Sequence, residues 1–217
     1  GYTKAPWQAD TMVNMFSSTK GVAALACAHA VSKGLLSYDA RVSDYWPEFA
    51  AQDKGDITIR QLLAHQAGLC VLTPNPTLAD IADPLRLSPI LAAQTPAWTP
   101  GTRHGYHAIT IGWYESELIR RTDPAGRTLG RYLADEIVGP LGLDLHIGLP
   151  DDVDRDRVAT LHRLLGARPN TRRLAHHAGN PLAVDLLVID EASMVDLEMM
   201  AAVFAALPDT ARLVLLG

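Results

Sequence analysis

Apolar and polar positions along the first part of the chain follow a helical period. Residues 17–33 begin with serine and threonine, continue as an alanine-rich run and stop at Gly34, which predicts a helix. Residues 57–65 predict a short helix with Thr58 as its N-cap. Two further stretches, 108–121 and 128–138, also have helical spacing. The intervening proline-rich stretch, 72–104, predicts loops with short helices.

The pattern changes after about residue 158. A helix is predicted at about 159–165, followed by a polar linker and an apolar strand at 184–189. A helix at 196–207 and a strand at 212–216 come next. Strand, helix and strand with buried, Val/Leu/Ile-rich character indicate part of a parallel α/β sheet.

Composition excludes several classes of protein. The 217 residues carry a formal net charge of −5 and no basic stripe, so nucleic acid is not expected as a partner. No apolar run approaches the roughly 20 residues that span a bilayer, and we expect a cytoplasmic protein without a membrane partner. Cys27 and Cys70 are too few for a disulfide framework. The eight histidines lack metal-ligand spacing, and no metal is predicted.

Ser17 and Lys20 lie three residues apart at the start of the first predicted helix. This spacing places both side chains on one face. The positive partial charge at a helix N-terminus disfavours a second positive charge, so Lys20 should release its proton more readily and accept one from Ser17. A bare Ser-x-x-Lys is also common in capped surface helices, which leaves a structural role open.

Five longer motifs occur in a fixed order. They are Phe16-Ser-Ser-Thr-Lys-Gly21, Asp44-Tyr-Trp-Pro-Glu-Phe49, Ile59-Arg-Gln-Leu-Leu-Ala-His-Gln-Ala-Gly-Leu69, Trp98-Thr-Pro-Gly-Thr-Arg-His-Gly-Tyr-His107 and Gly139-Pro-Leu-Gly-Leu143. Together they resemble the class C β-lactamase-related serine hydrolases, particularly the carboxylesterase-like branch, over about residues 5–158. The resemblance implies a β-lactamase/penicillin-binding-protein-like fold, a small-molecule ester or amide substrate and no cofactor.

The resemblance also assigns roles in a catalytic site. It implies that Ser17 is the acylating nucleophile, Lys20 its proton partner and Tyr106 a proton shuttle. Tyr106 follows a Pro-Gly turn among Arg103 and histidines, where a phenol would ionise more readily. His65 and His107 are expected to support turns.

Two parts of the family pattern are absent. The third motif, Lys-Thr-Gly or His-x-Gly on a strand lining the site, is not found where it is expected, and neither are the strands that precede the nucleophile helix. His177-Ala-Gly179 has the bare pattern, but it lies in a polar stretch and is interpreted as coincidence. We therefore expect a truncated and incomplete hydrolase site.

A second resemblance covers the end of the chain. Asp190 and Glu191 follow an apolar strand, as in a Walker B motif, where the aspartate holds Mg²⁺ and the glutamate orients water. A solvated strand end is the alternative. With Thr160-Leu-His-Arg-Leu-Leu-Gly166, His176-His-Ala-Gly-Asn-Pro-Leu182 and Val188-Ile-Asp-Glu-Ala-Ser-Met-Val-Asp-Leu-Glu-Met-Met200, residues 159–217 resemble the α subunit of exodeoxyribonuclease V, a superfamily 1 DNA helicase. The resemblance implies Mg-ATP as the cofactor of the helicase from which this segment would derive.

The sequence contains no Gly-x-x-x-x-Gly-Lys-[Ser/Thr] motif that could cradle phosphates, so no ATPase activity is expected.

The predicted fold class is α+β: a mostly helical fragment of a β-lactamase-like fold at 1–158, followed by a partial parallel α/β, P-loop NTPase-like segment at 159–217. We interpret the chain as chimeric or misassembled. Serine hydrolysis is the preferred function, and a helicase fragment or a non-catalytic fragment is the alternative.

Overall fold

The computed structural model describes residues 12–13, 15–153, 158–159, 165, 174–184, 186–189 and 197–215. The chain forms two compact units, one of residues 19–149 and one of residues 1–18 with 150–217. The helices are α1 (Ser18–Ser32), α2 (Val42–Tyr45), α3 (Ile59–Leu63), α4 (Leu78–Ile81), α5 (Pro84–Ala92), α6 (Thr110–Thr122), α7 (Leu129–Leu133), α8 (Gly139–Leu141) and α9 (Leu197–Ala206). The strands are β1 (Met12–Val13), β2 (Val158–Ala159), β3 (Leu186–Ile189) and β4 (Arg212–Leu215).

Helices dominate residues 19–149, as the sequence predicts. Helix α1 ends before Gly34, whose φ of 72° suits glycine. In α3, the Thr58 side chain accepts the Gln61 N–H, and the Gln61 side chain accepts the Thr58 N–H. This capping box confirms the predicted N-cap.

Helix α1 packs through small side chains. Ala23, Ala26, Cys27 and Ala30 are buried at positions three or four residues apart, which allows close approach of the neighbouring elements. One such neighbour is Tyr132 of α7, whose hydroxyl lies 2.9 Å from His29 Nδ1. Small residues on one face therefore seat α1 inside the core.

An aromatic cluster fills the core between α2 and α6. The ring centroids of Trp46, Phe49 and Tyr114 lie 5.4–6.2 Å apart, within the usual range for aromatic pairs. Beside them the fully buried Lys54 donates hydrogen bonds to the carbonyl oxygens of Ala51, Ala92 and Gln94, at 2.6–2.8 Å. The acceptors on Ala92 and Gln94 are buried, and without Lys54 they would lack these hydrogen bonds.

The stretch after α6 differs in one respect from its prediction. Helix α7 passes into a π-helical turn at Ala134–Val138 and then into α8, so the helical path continues through Gly139 and Pro140, past the predicted stretch that ends at residue 138. Proline is tolerated in the first turn of a helix because its missing N–H would have no intrahelical partner. The path ends at Gly142, which has a φ of 62°.

In the other unit, the residues that the structure describes form two short parallel strand pairs. Strand β1 pairs with β2, and β3 pairs with β4 in the register Leu186–Arg212 to Ile189–Leu215. Strands β3 and β4 and helix α9 confirm the strand–helix–strand prediction. The helix predicted at about 159–165 is wrong at its first residue, because Ala159 belongs to β2. Of the other residues of that predicted helix, only Leu165 is among those that the structure describes.

A small core forms between β3 and α9. Leu182, Leu187 of β3 and Val203 and Ala206 of α9 are buried together. The N–H of Leu182 donates to the carbonyl of Ala206, 2.7 Å away. None of the helices in the described ranges combines the length and apolar character that crossing a bilayer would require.

Candidate active site

Ser17 immediately precedes helix α1 in a turn. The N–H of Ser18 donates to the carbonyl of Met15, 3.1 Å away, which closes this turn. Phe16 has a φ of 43°, a left-handed conformation that is uncommon outside glycine. Backbone strain of this kind clusters at functional sites, so the conformation of Phe16 supports the hypothesis that this turn has a functional role.

Lys20 lies in the first turn of α1 and faces Tyr106. Its ammonium Nζ is 4.9 Å from the centroid of the Tyr106 ring, within the range of a cation–π contact. The Tyr106 side chain remains 54% exposed, so this pair borders solvent. The structure thus brings together two of the three residues that the resemblance assigns to catalysis.

His65 holds the backbone on both sides of Tyr106. Its carbonyl accepts the Gly105 N–H and its ring Nδ1 accepts the His107 N–H, both at 3.0 Å. The His65 and Tyr106 rings are 5.3 Å apart. A Cβ at Gly105 would overlap the Trp98 indole, so only glycine fits beside that ring without a shift. These contacts fix the position of the tyrosine.

His107 is buried and uses both ring nitrogens. Its Nε2 accepts the N–H of Leu69 at 3.0 Å, and Nδ1 lies 2.6 Å from the carbonyl oxygen of Gly105. Because a carbonyl can only accept, the proton resides on Nδ1. Burial lowers the pKa of His107, which favours this neutral form. His107 therefore ties two turns together, as the resemblance implies.

The pKa of His65 is lowered as well. Burial is the main cause, and electrostatic interactions with the ionisable groups of His107, Lys20 and His104 add to it. His65 Nδ1 accepts a hydrogen bond, which is compatible with the neutral ring. A neutral His65 adds no positive charge beside Lys20.

Glu115 of α6 is a residue that the sequence analysis missed. Its side chain is buried, with 2% of the residue exposed, and its Oε2 has no hydrogen-bond partner among the described residues. Burial raises its pKa to about 8, and the charge of Lys20 opposes that rise. A carboxyl placed four residues from both Ile111 and Ile119, on the apolar face of a helix, is the sequence signal that could have revealed it.

Glu117 on the same helix provides a contrast. It accepts hydrogen bonds from Ser88, Arg120 and Arg121 at 2.6–2.8 Å. Burial alone would raise its pKa, but these partners hold the pKa below its ordinary value. Glu115 and Glu117 are both buried and lie two positions apart, but the pKa of Glu115 is raised and that of Glu117 is lowered.

The remaining predicted site residues, Asp190 and Glu191, lie outside the described residues. The strand before them, β3, ends at Ile189 as predicted. His177 and Asn180 exchange backbone hydrogen bonds around an exposed turn. His177 is thus placed in a loop, as expected for a coincidental match to His-x-Gly.

Part of the chain is similar to a helicase subunit. The RecBCD enzyme subunit RecD of Haemophilus influenzae is 46% identical over 61 residues, which is 28% of this chain and 10% of that protein. A match confined to part of the chain supports the interpretation that the chain combines a hydrolase-like segment with a helicase-like segment.

The remaining comparisons concern hydrolases. The esterase/β-lactamase LipL of Mycobacterium tuberculosis is 36% identical over 178 residues, 79% of this chain and 41% of that protein. The crystal structure of a family VIII carboxylesterase matches with a TM-score of 0.67 and 35% identity, over 94% of this chain and 48% of that one. The chain thus spans about half or less of the length of these relatives. The family model Beta-lactamase matches residues 1–216, and the chain belongs to the β-lactamase family.

Proposed function

We propose that this chain is a serine hydrolase that cleaves an ester or an amide, β-lactams included, through an acyl intermediate on Ser17. The observation that carries the proposal is the 4.9 Å contact between the Lys20 ammonium and the Tyr106 ring. It supports the proposed pairing of Lys20 as the base with Tyr106 as the proton donor. The esterase and carboxylesterase relatives support the same reaction class.

The proposed reaction has two stages. Ser17 Oγ attacks the acyl carbon while its proton passes to the free amine of Lys20, which lies three positions later, in the first turn of α1. The bond to the leaving group then breaks, and the leaving oxygen or nitrogen receives a proton from Lys20 through the Tyr106 hydroxyl. Water hydrolyses the acyl-serine, which releases the acid and restores the Ser17 hydroxyl.

The electrostatic setting favours these roles. The N-terminus of the 15-residue helix α1 carries a positive partial charge, which stabilises negative charge developing on Ser17 Oγ and the substrate oxygen. The pKa of His65, which lies beside Tyr106, is lowered chiefly by burial, and the neutral ring adds no positive charge there.

Covalent labelling tests the proposal without requiring full turnover. A fluorophosphonate and a fluorescent penicillin are each incubated with the wild type, Ser17→Ala and Lys20→Met. Labelling of the wild type, its loss in Ser17→Ala and a large decrease in Lys20→Met are expected. The probe that reacts faster distinguishes an esterase from a β-lactam hydrolase, and labelling that persists in Ser17→Ala rejects the proposal.

A second candidate concerns residues 159–217. The RecD match and the parallel β3–β4 pair with α9 support descent of this segment from a P-loop NTPase-like helicase motor. In that candidate Asp190 holds Mg²⁺ and Glu191 orients water, without hydrolysis because the phosphate-cradling motif is absent from the sequence. Mg²⁺-dependent nucleotide binding that disappears in Asp190→Ala would support it, and no binding would reject it.

A further inference from the structure

A cavity of about 400 Å³ is lined by residues of α5, α6 and the segment 46–51, which contains the 3₁₀ turn Pro47–Ala50. This volume is within the range of small-molecule sites. Helix α6 contributes Arg120 and Arg121 to the wall, and neither Lys20 nor Tyr106 lines it. The cavity is therefore a feature separate from the candidate catalytic pair.

The two arginines at the cavity retain hydrogen-bonding capacity for a ligand. Arg120 donates to Glu117 through Nε and Nη2, at 2.7 and 2.8 Å, and no described residue accepts from its Nη1. Arg121 donates to Glu117 through Nε and to Glu48 through Nη1, at 2.6 and 2.9 Å. The Glu48 side chain is 63% exposed, and ion pairs at exposed positions contribute little to stability. An incoming anion can therefore replace Glu48 on Arg121.

Trp46, which also lines the cavity, has a donor without an acceptor. The residue is buried, and its indole Nε1 has no hydrogen-bond partner among the residues that the structure describes. The guanidinium carbon of Arg121 lies over the indole, 5.1 Å from the ring centroid. A buried donor normally has an acceptor, because leaving it unpaired is costly. The unpaired N–H is thus an independent indication that an acceptor atom binds beside Arg121.

The α5 side of the cavity is mostly apolar. Leu85, Pro89 and Ala92 are three or four residues apart, so they share one face of the helix. Ala93 continues this wall at the C-cap of α5. Leu85 remains 71% exposed, so a hydrocarbon chain that covers it would remove apolar surface from water. The cavity thus combines a cationic end with a hydrocarbon wall.

We propose that this cavity is a binding site for a monocarboxylate with a hydrocarbon chain. Its carboxylate accepts hydrogen bonds from Arg120 and Arg121 and supplies an acceptor for the Trp46 N–H. Its chain lies along α5 and covers Leu85. The site is separate from the proposed acylation of Ser17, and binding at it requires no hydrolysis.

The charges around the cavity favour a single negative charge on the ligand. Arg120 and Arg121 bring two positive charges, which the carboxylates of Glu117 and Glu48 balance. Displacement of the exposed Glu48 leaves one positive charge, and a monocarboxylate restores the balance. A dianion such as a phosphate monoester would leave a negative charge in excess.

Isothermal titration calorimetry of the full chain with octanoate tests the site. Octanoate should bind about tenfold or more tightly than octanamide, which has the same chain and no charge. Acetate, which has the same head group and almost no chain, should bind at least about tenfold more weakly than octanoate. No octanoate binding at about 5 mM, a low threshold for a ligand of this size, would overturn the proposal. Equal affinities for octanoate and octanamide would overturn it as well.

Two variants, each with a matched control, locate the ligand. Ala93→Glu places a carboxylate at an exposed position of the cavity wall and should weaken octanoate binding by about tenfold or more. Ala64→Glu changes the exposed C-cap of α3 in the same way and should leave the affinity unchanged. Glu48→Gln removes the competing carboxylate and should tighten binding by about threefold. Asp39→Asn, which removes an exposed partner of Arg60, should not tighten it.

The indole N–H of Trp46 gives a local readout by ¹H–¹⁵N NMR. The chain has four tryptophans, and contacts with the rings of Phe49 and Tyr114 assign the Trp46 signal. Octanoate should move this signal further than the other three, because the N–H gains an acceptor. An unmoved Trp46 signal at saturating octanoate, or equal affinities in Ala93→Glu and wild type, would overturn the inference.

Discussion

The backbone N–H of His107 donates a hydrogen bond to Nδ1 of His65, 3.0 Å away. The carbonyl of His65 also accepts a hydrogen bond from the Gly105 N–H, so His65 is hydrogen-bonded to both sequence neighbours of Tyr106. The tyrosine side chain projects from a segment that is fixed on each side. The position of a candidate proton donor thus depends on a histidine that need not transfer protons itself.

Replacing His65 tests this dependence. His65→Ala removes the Nδ1 acceptor, and Tyr106 should lose its fixed position, which lowers the rate of Ser17 labelling by about tenfold or more. His65→Asn is the matched variant, because it offers an acceptor oxygen and tolerates the left-handed φ of 59° at this position. Stopped-flow or gel-based labelling rates provide the measurement, and equal rates in wild type and His65→Ala would refute the role.

Gly105 provides a steric test of the same segment. A Cβ at this position would overlap the Trp98 indole, so Gly105→Ala should destabilise the protein by about 1–3 kcal/mol. Gly112 in α6 has no atom within 4 Å of its added Cβ, and Gly112→Ala should be neutral or stabilising by up to about 1 kcal/mol. Urea unfolding compares the two variants, and a similar free energy for both would contradict the steric account.

The buried Lys54 should be essential for stability. Lys54→Met leaves three carbonyl oxygens, two of them on buried residues, without their donor and is expected to cost about 2–4 kcal/mol. Lys33→Met changes the same charge at an exposed position and should shift the free energy of unfolding by less than about 0.5 kcal/mol. Thermal and urea unfolding of both variants check this, and equal stability would show that the carbonyls find other partners.

Glu115 makes the free energy of unfolding depend on pH. Its folded-state pKa of about 8 is above its ordinary value of 4.5, so the folded chain binds more protons than the unfolded one over that interval. Stability is therefore fully present below about pH 4.5 and is lost as pH rises through about 8. The loss relative to Glu115→Gln should amount to about 2–5 kcal/mol between pH 4.5 and 9.

Urea unfolding of wild type and Glu115→Gln at pH 5, 7 and 9 measures this difference. We expect the two curves to converge at pH 5 and to separate at pH 9, with the glutamine variant more stable. Parallel stabilities over the whole range would mean that Glu115 is ionised in the folded state at neutral pH. Glu117→Gln should not reproduce the separation, because the pKa of Glu117 is lowered.

Local sequence signals predicted the elements whose ends have distinct capping chemistry. Gly34 ends α1 through its positive φ, and Thr58 starts α3 through a capping box. The strand pair β3–β4 followed from apolar runs bounded by polar residues. In these cases the determining interactions lie within a few residues of one another.

Features that depend on distant partners could not be predicted. Lys54 is a charged residue by type, and its burial requires carbonyls 38 and 40 residues away. The membership of Ala159 in β2 depends on pairing with Val13 at the other end of the chain. For the site, motif resemblance nominated Lys20 and Tyr106, which the structure brings into contact. The position of Glu115 on the apolar face of α6 was readable from the sequence, but the missing hydrogen-bond partner of its Oε2 is evident only in the packed structure.

The most direct test of the account is the mass of the tryptic peptide of residues 5–20 after reaction with a fluorophosphonate. This peptide contains both Ser17 and Ser18, so Ser18→Ala is a control that differs by one position. The account predicts one covalent adduct, fragmentation that places it on Ser17, its retention in Ser18→Ala and its absence in Ser17→Ala. An unmodified wild-type peptide, or an adduct that survives in Ser17→Ala, would contradict the claim that Ser17 is an acylating nucleophile.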